Sequence, residues 1–71
     1  MKKKAAVWVV ISMAHSEERA REIEEKLTQE GFMIQLRAVT GESDPSEQLY
    51  EVLALSSEAQ EARSLLLDMG L

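Results

Sequence analysis

Few side chains in this sequence are equipped for chemistry. His15 is the sole histidine and stands beside Ser16, Glu17 and Glu18. An imidazole there would serve as a general base or an anion contact, helped by the free N–H groups of a helix start. No cysteine accompanies it as a nucleophile, so a polar turn residue beside a helix cap is the favoured reading. His15 with Glu17 and Glu18 also has the composition of a metal site, but first-turn carboxylates are ordinary helix chemistry. No catalytic, cofactor-binding or metal-ligating residues are expected.

A second group is more informative. Arg37, Glu51, Trp8 and Gln35 fall where one sheet face would collect them, with Leu53, Leu49 and Met33 as apolar neighbours. A guanidinium fork and an indole are the residue types that dominate interfaces. The competing account is a cross-strand ion pair on a solvated sheet.

The elements that must hold these residues follow from apolar spacing. Ala5 to Met13 is a nearly unbroken apolar run of strand length, rich in β-branched Val7, Val9, Val10 and Ile11. Ser16 offers an N-cap with Glu17 and Glu18 in the first turn. Ala20, Ile23 and Leu27 then recur at helical spacing, and Gly31 is a natural stop. Glu17/Arg21 and Glu22/Lys26 are helix-face ion pairs in the favourable order.

Phe32 to Val39 alternates, with Phe32, Ile34, Leu36 and Ala38 on one side and Met33, Gln35, Arg37 and Val39 on the other. Thr40 to Ser46 holds Gly41, Asp44 and Pro45 and reads as a connecting loop. Gln48 to Leu55 alternates again. Tyr50, Val52 and Ala54 are taken as inward, because the opposite choice would bury Glu51. Ser57 and Gln60 match a capping box, and Ala59, Ala62, Leu66 and Met69 form the stripe of a second helix ended by Gly70.

The order β-α-β-β-α, with a right-handed crossover and a hairpin, predicts an α+β ferredoxin-like two-layer sandwich lacking its last strand. Its antiparallel sheet has order 1-3-2, and both helices lie on one face. The first strand is left with a free edge, which is an association hazard. Outward Leu49, Leu53 and Leu55 form a second apolar surface pointing to self-association.

Length and composition set the outer limits. Seventy-one residues at 8.0 kDa make one domain, 1–71, with a basic tail at 1–4. A chain of this size buries only about 60% of its unfolded surface, so a partner subunit is a natural source of stability. The net charge is −5. Residues 1–37 carry seven basic and six acidic side chains, whereas 38–71 carry Arg63 alone against seven acidic ones. An acidic chain without a basic stripe or a stacking platform is a poor nucleic-acid binder.

The absence of cysteine is compatible with a reducing cytoplasm. Lys2-Lys3-Lys4 before an apolar run has the layout of a secretory signal, but β-branched content favours a buried strand. The run is too short to span a bilayer.

Taken together, these residues resemble a group of small bacterial βαββα proteins classed as signal-transducing and of unknown function. Some of their relatives carry the label glutamate decarboxylase. The matching residues are Trp8-Val9-Val10, Leu27-x-x-Glu30-Gly31-Phe32, Leu36-Arg37-x-Val39, Tyr50-Glu51-Val52-Leu53 and Ser57-Glu58-Ala59-x-Glu61-Ala62. The resemblance covers most of the chain and implies the fold more strongly than an activity. Pyridoxal chemistry would need a Schiff-base lysine and a phosphate cup in a large cavity. The lysines here are three in the N-terminal tail and Lys26 on a helix face, so a decarboxylase is not expected.

The expected function is a non-catalytic interaction module, a homo-oligomer such as a dimer, that meets a protein partner through the sheet face around Trp8, Arg37 and Glu51. The alternative is a regulatory domain holding a small anionic metabolite between Arg37 and the helix start at His15 and Ser16.

Overall fold

The computed structural model describes residues 7–40 and 48–70. The expected basic tail at 1–4, the start of the first apolar run and most of the 40–46 loop lie outside them. The elements are β1 (Trp8–Ala14), α1 (Glu17–Gln29), β2 (Ile34–Thr40), β3 (Gln48–Leu55) and α2 (Ala59–Met69). The three strands form one antiparallel sheet in the order β1-β3-β2. This is the α+β architecture anticipated from the sequence.

Helix α1 forms for local reasons that the sequence displays. The Ser16 side chain accepts the Arg19 N–H at 3.1 Å, and Glu17 and Glu18 occupy the positive end of the dipole. The Arg21 guanidinium donates to Glu17 at 2.8 Å. Glu22 is engaged at 3.5 Å by Arg19, one turn N-terminal to it, and not by the anticipated Lys26 one turn C-terminal.

The helix ends in a Schellman motif. Gly31 adopts φ 96°, its N–H donates to the Thr28 carbonyl, and the Phe32 N–H donates to the Leu27 carbonyl at 3.1 Å. Phe32 thus belongs to the helix stop, and β2 begins two residues later than the alternation implied.

The anticipated capping box at α2 does not form. The Glu58 N–H closes a turn onto the Leu55 carbonyl at 2.8 Å, and Glu58 itself takes the N-cap position without a side-chain cap bond. Its carboxylate instead accepts the Met33 N–H at 3.3 Å. A long-range tie between the two chain segments has displaced a local cap.

The core lies between the sheet and both helices. Ile23, Leu27, Val52, Ala54, Ala62 and Leu66 are buried together, with Ile11, Phe32, Ile34, Leu36 and Leu65 packed against them. Val52 and Ala54 point at the helices, so Leu49, Glu51, Leu53 and Leu55 point to the uncovered side of the sheet.

β1 carries a bulge between Val10 and Ser12. Before it, Trp8 and Val10 pair with Leu55 and Leu53 on the uncovered side. Beyond it, parity reverses: Ala14 pairs with Tyr50 and is buried, while Met13 pairs with Glu51 and is exposed. With the extra residue, Ile11 packs against the core and Ala14 is buried beyond it.

Gly31→Ala is expected to destabilise the fold by about 1 kcal/mol, because the space is open but the left-handed backbone disfavours a Cβ. Gly31→Asn should cost less. Thermal unfolding of the three proteins checks the ranking, and equal midpoints for alanine and glycine would remove the Schellman stop from the account.

Candidate functional site

The uncovered sheet face is laid out in cross-strand rows. Trp8 pairs with Leu55 at one end, and Val10, Leu53 and Gln35 form the next row. Met13, Glu51 and Arg37 follow, then Leu49 with Val39. Seven of these side chains are apolar. Three are polar, and the two charged ones face each other across the ladder.

Arg37 and Glu51 are directly opposed residues on neighbouring strands. The Arg37 Nε donates to Glu51 Oε1 at 2.7 Å, and Nη2 reaches the same oxygen. The carboxylate is only 18% exposed, whereas the guanidinium is 62% exposed. The outer edge of the arginine therefore remains presented to a partner while its charge is matched from below.

Leu53 was expected among the accessible contacts. It is 5% exposed, although no helix covers it. It sits in the central strand between Val10 and Gln35, and those flanking side chains close over it. Leu53 is the floor of this face, while Trp8, Leu49 and Leu55 are half-buried around it. Gln35 is exposed.

His15 and Ser16 are not part of the paired ladder of this face. They lie past the end of β1 in the turn to α1. The Ser16 hydroxyl oxygen is used by the Arg19 N–H, and Glu17 and Glu18 place negative charge where an anion would approach. Arg37 is two strand spacings, roughly 10 Å, from the β1 position in its row.

Among the described residues, no group of three or more His, Asp or Glu side chains is arranged to hold a metal ion, and no buried side-chain polar atom lacks a partner. No helix among them is long and apolar enough to cross a membrane.

One functional feature escaped the sequence reading. The free edge of β1 is guarded: the bulge interrupts it, and Arg63 of α2 donates from Nη2 to the Val10 carbonyl at 3.1 Å. Arg63 also borders a groove of about 270 Å³ with Ile11, Ser12, Leu66 and Leu67. Its isolation as the lone basic residue of the 38–71 half is the signal that sequence offered. One carbonyl of the edge expected to invite a second copy is therefore engaged.

Fold and face together define a small open-faced α+β sandwich, one side acidic and helical, the other a largely apolar sheet. No family model matches the chain, and neither does any curated protein or solved structure.

Arg37→Ala and Glu51→Ala, combined in a double-mutant cycle, are expected to couple by about 0.2–1 kcal/mol, the range of exposed cross-strand pairs. Urea unfolding at low and high salt checks this. Coupling that persists undiminished in high salt would contradict a pair with so exposed a guanidinium.

Proposed function

We propose that this protein is a non-catalytic interaction module that binds a protein partner, in the first place a second copy of itself, through the open sheet face. The observation that carries this reading is that, among the described residues, seven apolar side chains lie on the face opposite the helices with Arg37 and Glu51 as the only charges there.

Two physical points support self-association there. Arg37 and Glu51 cancel, so the face is neutral in a protein of net charge −5, and two such faces meet without repulsion. Isologous contact also requires a self-complementary patch, and a matched cation–anion pair can exchange partners across a two-fold axis. A small chain gains stability from such burial. With the β1 edge bulged and engaged at one carbonyl, the face is the better route to a dimer.

A signalling or regulatory role, as the resemblance implies, fits a module of this kind, and the cysteine-free sequence is compatible with a reducing cytoplasm. An anionic metabolite at Arg37 and the α1 N-terminus is the weaker reading, because Ser16 already accepts the Arg19 N–H and Glu17 and Glu18 place negative charge there.

Native mass spectrometry of the full chain tests the proposal. A dimer is expected, and Arg37→Glu, which sets two carboxylates side by side on the face, should shift it to monomer while leaving the circular dichroism spectrum unchanged. A wild-type monomer at high micromolar concentration would overturn self-association. A dimer indifferent to Arg37→Glu and to Leu55→Glu would move the interface elsewhere.

A further inference from the structure

The two free edges of the sheet are unequal. β1 is bulged and capped by Arg63, but β2 runs in unbroken register against β3 from Ile34 to Thr40. Ladder alternation decides where its backbone groups point. The Ser56 N–H donates to the Val7 carbonyl at 2.8 Å, so even-numbered residues of β3 address β1 and odd-numbered ones address β2.

Arg37 and Gln35, opposite Glu51 and Leu53, therefore turn their N–H and C=O groups inward to β3. The Met33 N–H has the same parity and donates to Glu58 on that side. By the same alternation, the backbone groups of Leu36 and Ala38 face outward at the β2 edge. Unpaired among the described residues, they are a template for another strand.

A cleft of about 510 Å³ runs along this edge. Leu36, Ala38 and Tyr50 line its sheet side, and Glu17, Glu24 and Glu25 line its α1 side. Arg21 also borders the cleft but is engaged by Glu17. Glu24 and Glu25 belong to none of the ion pairs among the described residues.

We propose that β2 is a docking edge for an extended, lysine- or arginine-bearing segment of a partner protein. The segment adds a fourth strand by pairing with the backbone of Leu36 and Ala38, which supplies sequence-independent hydrogen bonds. Its alternate side chains fall on the helix side of the sheet, where basic groups two residues apart meet Glu24 and Glu25. A second copy of β2 is a poorer occupant, because two α1 helices would then lie together, each with five glutamates against three basic residues. This site is separate from the open face and stands or falls without it.

The test is a titration of the full ¹⁵N-labelled chain with two blocked peptides, one alternating lysine and threonine and one alternating glutamate and threonine. The lysine peptide is expected to shift the Leu36 and Ala38 amides saturably and slow their hydrogen exchange, with affinity falling as salt rises. The glutamate peptide should do neither.

Ala38→Pro removes the outward N–H without touching the ladder to β3, since proline is tolerated at such edge positions. It should weaken lysine-peptide binding about tenfold or more. Glu24→Lys with Glu25→Lys should abolish that binding and admit the glutamate peptide. If Ala38→Pro fails to fold, the charge-reversal variant alone decides. No saturable shift, equal response to both peptides, unchanged binding by a folded variant, or shifts confined to Trp8 and Leu55 would each overturn the proposal.

Discussion

Everything in this small sheet leans on the inward face of β3. Val52 and Ala54 lie in the central strand with no exposed surface, and both helices settle against them. Small residues make that contact close: Ala62 is fully buried on α2, and Ala20 on α1. Buried aliphatic groups contribute about 25 cal/mol per Å², so the close fit of two helices onto one strand is the main source of cohesion available. Two helices cover one face of three strands. The other face is left over by arithmetic, and its chemistry follows from how the leftover positions are filled.

The sequence displays those parts of this arrangement that are set locally. Ser16 and Gly31 bound α1 through bonds within a few residues of themselves, and both read directly from residue type. The inward parity of β3 was also legible, because burying Glu51 without a partner costs more than exposing leucines. What the sequence conceals is set by distant contacts. The run from Val7 to Met13 is apolar at nearly every position, so no alternation marks the residue at which β1 changes face. The Ser57 box looked sound as a local motif, yet the Glu58 carboxylate is drawn to a backbone N–H twenty-five residues away. Leu53 shows the same limit for the site: its direction is legible, but its low exposure depends on Val10 and Gln35 beside it.

The bulge links the fold to its surfaces. By reversing parity it buries Ala14 against the helix side and sends Met13 outward beside Glu51. It also breaks the regular edge of β1. In a complete ferredoxin-like unit a fourth strand would lie along β1. Here that position is interrupted by the bulge and by Arg63 at the Val10 carbonyl, while β2, which among the described residues has neither bulge nor cap, keeps the geometry of a pairing edge. Edge protection placed on one side only is a statement about which side is meant to stay unpaired.

Charge is divided in the same way. Helices α1 and α2 together carry seven acidic and four basic side chains, whereas the open face carries one of each. A helix layer is roughly 10 Å thick, and the screening length in physiological salt is about 8 Å. The helical charge is thus largely screened at the open face and less so along the β2 edge, where α1 forms the wall of the cleft. Two copies that approach helix to helix repel, and two that approach face to face do not. Charge therefore disfavours a helix-to-helix encounter of two copies more than a face-to-face one, and an acidic edge is complementary to a segment of opposite sign.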